Sequence, residues 1–169
     1  MLAVISPAKN LNFETEPKFS DHSIPNMIDD AEVLVETMRK LSITKIAQTM
    51  KLSEKLAKLN FQRYRDFTTP FHLGNSKQAA LVFNGDTYIG LQAETLNKHD
   101  MAFAQKHLRI LSGLYGVLRP LDLIQPYRLE MGLKLKGSGV ETLYDFWGTR
   151  ITDSINTALE DHKNNTLIN

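Results

Sequence analysis

The sequence predicts an α/β protein, in the broad sense that includes α+β, with a mixed sheet and flanking helices. Three observations carry this reading. Short apolar runs of strand length recur at residues 2–5, 79–83 and 108–111. Between them lie segments whose apolar residues fall at helical spacing, several opened by Ser, Asn or Thr at a capping position. The chain has 169 residues, 42% hydrophobic and 23% charged, which suits one domain with a substantial core.

Taken in order, residues 2–5 are apolar and partly β-branched, then meet Ser6-Pro7, so they read as a first strand feeding a loop. Residues 10–26 are polar, carry Pro17 and Pro25, and read as an extended surface excursion. Ile28, Ala31, Leu34, Val35, Met38 and Leu41 share one helical face, predicting an amphipathic helix over 28–40. Ser42 is placed to cap a short helix over 43–50, and Ser53 another over 54–66. Residues 68–78 read as a loop and 79–83 as a second strand ending in Asn84-Gly85-Asp86. Asn97 with Asp100 has capping-box spacing for a helix running to His107, and 108–111 is a third strand. Thr142 with Asp145 opens a last helix over 143–161, with Phe146, Trp147, Ile151, Ile155 and Leu159 along one side. Trp147 and Tyr144 read as core anchors rather than stacking platforms. A fourth strand begins at 166–168, an apolar run at the chain's end, so the sequence reads as the N-terminal part of a longer domain.

Composition narrows the function classes. The net charge of +1 gives no global field toward nucleic acid or membrane, so a basic surface has to come from uneven charge placement. No cysteine is present, which removes disulfides, thiolate catalysis and cysteine-ligated metals. No apolar run approaches the roughly 20 residues of a membrane span, and MLAVISPAK lacks the basic start and long apolar stretch of a signal peptide. A cytoplasmic protein with no membrane partner is expected. The five histidines (22, 72, 99, 107 and 162) show no metal-ligand spacing, so no metal or cofactor is expected.

The segment LRILSGLYGVLRPLDLIQPYRLEM, residues 108–131, mixes Arg109, Arg119, Arg128, Asp122 and Glu130 with Tyr115, Tyr127 and many large apolar residues. Charges beside buried apolar groups have to be paired or to line a concave surface. The composition fits a ligand site or a polar-networked core, and the sequence leaves both open.

Residues 42–66 read as two helices joined by a tight Lys51-Leu52-Ser53 turn, a layout resembling a helix-hairpin-helix. Such hairpins offer backbone amides and a helix N-terminus to a phosphate. Lys45, Lys51, Lys55, Lys58, Arg63 and Arg65 face only Glu54 and Asp66, a local excess of 6 − 2 = 4. A solvated lysine-rich helical pair has the same composition, and the glycines usual in the motif are missing.

Ser6-Pro7-Ala8-Lys9 has S-x-x-K spacing, which places a lysine one turn from a serine when the serine opens a helix. The companion motifs of that chemistry are missing, since Lys136-Gly137-Ser138 only echoes K-T-G, and no catalytic residue is assigned. A strand-end Lys9 facing a phosphate and a plain Ser-Pro turn are the other readings. Asp86 either delivers a carboxylate to a cleft at a strand end, pairing with Arg109, Arg119 or Arg128, or caps a tight turn.

Four of these motifs together resemble the YaaA family of bacterial peroxide-stress proteins: Ile5-Ser6-Pro7-Ala8-Lys9, Phe83-Asn84-Gly85-Asp86-Thr87-Tyr88, the 108–131 segment, and Leu143-Tyr144-Asp145-Phe146-Trp147-Gly148. The resemblance runs the length of the chain, and family members continue beyond it. It implies a fold outside the common doubly wound types. It also implies a response to peroxide with DNA binding through a helix-hairpin-helix-like element, and a link to lowering free intracellular iron. The expected partner is then double-stranded DNA, contacted mainly through phosphates. Lys45, Lys51, Ser53, Lys55, Lys58, Arg63 and Arg65 would form the hairpin face, and Arg109, Arg119 and Arg128 a basic cleft. The competing reading is an enzyme acting on a nucleotide or nucleobase. Its polar pocket at the strand ends would draw on Ser6, Lys9, Asp86, Tyr115, Asp122, Tyr127 and Glu130. The sequence leaves the oligomeric state open.

Overall fold

Strand β1 (Leu2–Ile5) lies inside the main sheet, and its alternation shows why: Leu2 and Val4 are buried while Ala3 and Ile5 are half-buried. The structure is a computed structural model that describes residues 1–17, 19–135 and 141–169. After β1 come β2 (Asn10–Leu11), α1 (Ile28–Arg39), α2 (Ile43–Met50), α3 (Glu54–Asp66), β3 (Lys77–Gln78), α4 (Ala79–Val82) and β4 (Phe83–Asn84). Then follow α5 (Asp86–Leu91), a 3-10 turn at Ala93–Thr95, α6 (Lys98–His107), β5 (Leu108–Ser112), β6 (Gly116–Leu118) and β7 (Leu123–Ile124). The chain closes with α7 (Leu143–Trp147), α8 (Arg150–Glu160) and β8 (Leu167–Ile168).

The main sheet has the order β6-β5-β1-β8. It is mixed: β1 runs parallel to β5 and β8, with Val4 opposite Arg109 and Leu2 opposite Leu167, while β5 and β6 are antiparallel. Two short antiparallel ribbons, β2–β4 and β3–β7, stand beside it. One apolar cluster joins the sheet to the helices through Leu34, Val35 and Met38 of α1, Ala57 and Tyr64 of α3, Ile110 and Leu118 of the sheet, and Trp147 of α7. The predicted class, a mixed sheet with flanking helices, is what the chain forms.

Local capping follows the sequence. Ser42 accepts from the Lys45 amide and Ser53 from the Leu56 amide. The Asn97/Asp100 and Thr142/Asp145 capping boxes both form.

Four expectations are corrected. Residues 79–83 are not a strand: Ala79–Val82 is a helical turn, with extended backbone only at Lys77–Gln78 before it and Phe83–Asn84 after. The Ala79 and Ala80 amides donate to the carbonyls of Asp122 (2.8 Å) and Pro120 (3.0 Å), which turns the chain out of the β3–β7 ribbon. A short apolar run has no period that separates buried strand from buried turn, and alanine favours the helix. The expected loop over 68–78 accordingly ends in β3. The last helix is two helices, because Gly148 takes φ 51° and ψ −125° and ends α7. Tyr144 is no core anchor: it is 64% exposed, whereas Trp147 beside it is 1% exposed. The Lys136-Gly137-Ser138 echo lies outside the described residues.

Candidate nucleic-acid interface

The hairpin turn is built without glycine. Lys51 itself takes the left-handed conformation (φ 51°, ψ 49°) that closes α2, and its amide and that of Leu52 both reach the Ala47 carbonyl. Ile46 and Ala57 are fully buried and lock the two helices together, so the turn is held from below. Arg39 ties α1 to the far end of α3, donating to the Tyr64 carbonyl at 2.7 Å and to the Phe67 carbonyl at 2.5 Å.

Between the end of α1, the helix α2 and the segment 130–135 lies a cavity of about 710 Å³. Lys40, Lys45, Lys51 and Lys134 line it against one acid, Glu130, an excess of 4 − 1 = 3. Leu41, Met50, Leu133 and Leu135 supply apolar surface among the lysines. Packed lysines around a concave surface raise the local potential in a chain whose formal charge is only +1. Lys40 and Lys134 were not singled out in the sequence. Lys40 caps α1 just ahead of the hairpin, a legible signal; Lys134 lies on a segment with no local pattern and is brought in by the fold.

The remaining hairpin cations do not line this cavity. Lys55 is exposed, and Lys58 pairs with Glu54 at 2.6 Å along the outer face of α3. The hydrogen bond and charge of Lys58 hold the Glu54 carboxyl below its usual range. Arg65 stacks over the Phe61 ring at 4.2 Å. Arg63 is half-buried beside Asn60. Ser53 spends its hydroxyl on the α3 cap.

Arg109, Arg119 and Arg128 do not converge in one cleft. Arg119 grips the buried Asp122 through Nε (3.0 Å) and Nη2 (2.8 Å), while its amide donates to the same carboxylate. Ser23 donates to Asp122 at 2.6 Å and accepts from Gln105 at 2.9 Å, so the carboxylate is enclosed by donors. Arg109 donates to the Gln105 and Leu108 carbonyls at the edge of this network. Burial lowers its pKa, and the neighbouring Arg119 adds to the effect while Asp122 opposes it. Arg128 lies elsewhere and pairs with Glu130 at 3.0 Å.

Part of the expected strand-end pocket comes together: the loop after β1 adjoins the start of α5, with Asn10 opposite Asn84 and a Cβ at Gly85 only 3.1 Å from Ala8. The Ser6 carbonyl accepts from the Tyr88 hydroxyl at 2.8 Å, and Lys9 reaches Glu130 at 3.6 Å. Asp86 is exposed in the first turn of α5 and makes no ion pair among the described residues. Tyr115 and Tyr127 belong to the core. The Tyr127 hydroxyl meets Ser112 Oγ at 2.7 Å, and Tyr115 accepts from the Gln125 amide at 3.0 Å. Burial pushes both phenols well above their usual range.

Among the described residues no group of three or more His, Asp or Glu side chains converges to hold a metal ion. Nor is any helix of the described residues long and apolar enough to cross a membrane.

The family model described as peroxide stress protein YaaA matches residues 1–169. A UPF0246 protein of Ralstonia nicotianae is 52% identical over 169 residues, covering 100% of this chain and 66% of the relative. One from Cupriavidus metallidurans is 52% identical over 172 residues, again covering 100% of this chain and 66% of the relative. One from Alteromonas mediterranea is 53% identical over 169 residues, covering 100% of this chain and 65% of the relative. The chain spans just under two thirds of the length of these curated relatives.

Proposed function

The chain belongs to the YaaA family of peroxide stress proteins, and from that premise we propose that it binds double-stranded DNA through its phosphates as part of a response to peroxide. The observation that supports this most directly is the cavity lined by Lys40, Lys45, Lys51 and Lys134 beside the hairpin turn. Lysine is a flexible point charge suited to phosphate oxygens, and contacts confined to phosphates carry no direct sequence information, so the binding in this reading is weakly sequence-specific. In this reading the protein protects DNA by occupying it. On this reading the link to lowering free intracellular iron is an indirect one.

The competing reading, an enzyme acting on a nucleotide or nucleobase, draws less support. Two groups it needs are committed elsewhere: Arg119 is held by Asp122, and Tyr115 is enclosed in the core.

The experiment is a fluorescence-anisotropy titration of a duplex over a range of salt. Each phosphate neutralised by a lysine contributes a slope of about −0.9 in log K against log salt. Lys45→Glu with Lys51→Glu should weaken binding to all sequences alike and flatten the slope. Unchanged affinity in the double variant overturns the cleft as the interface, and no binding by the parent chain overturns the reading.

A further inference from the structure

One cluster is left over from the lysine-lined cavity. Lys9, Glu130 and Arg128 form a chain of contacts between the loop after β1 and the segment after β7, and Arg63 stands near it on the last turns of α3. Glu130 accepts from both sides, from Arg128 at 3.0 Å and Lys9 at 3.6 Å. The Tyr64 hydroxyl donates to the Arg128 carbonyl at 2.5 Å and fixes that residue against α3, one position from Arg63.

The cluster is short of acceptors. Lys9 and Arg128 share one carboxylate, and Arg63 beside them has no ion pair among the described residues, a local excess of 3 − 1 = 2. Arg128 is only 22% exposed, yet its contact with Glu130 uses a single Nη, and its Nε is buried with no partner among the described residues. Arg63 is half-buried, and its hydrogen bond to Asn60 at 3.4 Å is long. Burial pushes its pKa down, Tyr64 opposes this, and the charge of Arg128 adds to the depression, so the two guanidiniums lie within each other's field. Partly buried cations that repel one another and lack acceptors raise the free energy of the empty protein. An anion seated among them removes that cost.

We propose that Arg63, Arg128 and Lys9 form a discrete oxyanion site for a phosphate monoester, with Glu130 staying beside it as the carboxylate that offsets one of the three charges. The charge decides the class of ligand. A dianionic monoester cancels the excess of two, whereas a phosphodiester of the nucleic-acid backbone carries one negative charge and cancels half of it. The guanidinium fork matches phosphate oxygens in a way a lysine does not. Glu130 also lines the lysine cavity, so the site opens at the end of that surface. This inference rests on the DNA reading for its source of phosphate: the monoester is the 5′-phosphate at a DNA end, delivered as the duplex lies along the lysines. A free mononucleotide offers the same chemistry, and the measurements separate the two.

The test compares one duplex sequence carrying 5′-phosphate with the same duplex carrying 5′-hydroxyl, alongside titrations with inorganic phosphate and a nucleoside 5′-monophosphate. The phosphorylated duplex should bind roughly tenfold more tightly. Lys9→Gln should remove most of that advantage while leaving the 5′-hydroxyl affinity nearly intact, and Arg63→Gln should remove the advantage too. Lys9 is 68% exposed, so its variant folds even if the half-buried Arg63 tolerates change poorly. Glu130→Gln should strengthen phosphate binding, a gain that a purely structural role does not produce. If the duplexes bind equally but the mononucleotide saturates and depends on Arg63, the DNA-end assignment is overturned and the site serves free nucleotides. If neither duplex binds, the DNA reading fails, and saturable, Lys9-dependent binding of inorganic phosphate alone decides the site. Equal duplex affinities with no saturable phosphate or nucleotide binding overturn it.

Discussion

The Asp122 carboxylate, 1% exposed, is clasped by the Arg119 guanidinium at 2.8 Å, with Arg119 itself 28% exposed. The pair joins the polar excursion before α1 to the sheet, because Ser23 donates to the same carboxylate and the Arg119 Nη2 also reaches the Ile24 carbonyl at 2.8 Å. Removing the acid strands a partly buried cation. Asp122→Ala should cost about 3–5 kcal/mol. At about 2–4 °C per kcal/mol for a chain of this size, the melting temperature should fall clearly in a thermal scan. A change within scatter would show that the network carries little stability.

Glycines make a graded test of packing. At Gly113 an added Cβ would lie 2.2 Å from the Leu129 carbonyl oxygen, a backbone atom that cannot yield without moving the buried segment around Leu129. At Gly132, in the cavity lining, it would meet nothing within 4 Å. Gly113→Ala should therefore cost about 3 kcal/mol or more in urea unfolding, and Gly132→Ala less than about 0.5 kcal/mol. Similar costs at the two positions would contradict the close approach of Gly113 to Leu129.

Lys51 sets stability against binding. A lysine at φ 51° carries the steric cost of the left-handed region, about 1–2 kcal/mol relative to the right-handed one, part of which a glycine recovers. Lys51→Gly should raise or hold the denaturation midpoint and at the same time weaken duplex binding, because one lining charge is lost. A variant that lost both stability and binding would place Lys51 in the fold rather than at the interface.

Four buried tyrosines give the pH prediction. Burial is the leading cause that pushes Tyr64, Tyr88, Tyr115 and Tyr127 above the usual phenol range. Their folded values exceed the unfolded value of about 10, so the stability they contribute is intact below pH 10 and is lost as pH rises beyond it. In an alkaline titration, phenolate absorbance from these four should rise only as circular dichroism reports unfolding. Phenolate absorbance from the buried four with the fold intact would show that the cluster is open to solvent.

The sequence by itself determined what is decided within one turn of chain. Ser42, Ser53, Asn97 with Asp100, and Thr142 with Asp145 cap helices from at most three residues away, so their spacing alone announces the helix starts. The strands at 2–5 and 108–112 and the basic hairpin were legible for the same reason: period and local charge are printed in the order of residues. The tertiary structure decided everything that depends on a distant partner. Residues 79–82 turn helical because carbonyls at 120 and 122 take their amides. α7 stops after Trp147, whose Nε1 donates to the Gly113 carbonyl at 3.1 Å and so commits the ring to the core. The three arginines of the 108–131 segment part company because Asp122 claims one and Glu130 another. Lys134 joins Lys40, Lys45 and Lys51 only when the chain returns past α2. A local pattern states which groups want partners; only the packed fold, which brings together residues as far apart as Ser23 and Asp122, states which partners they get.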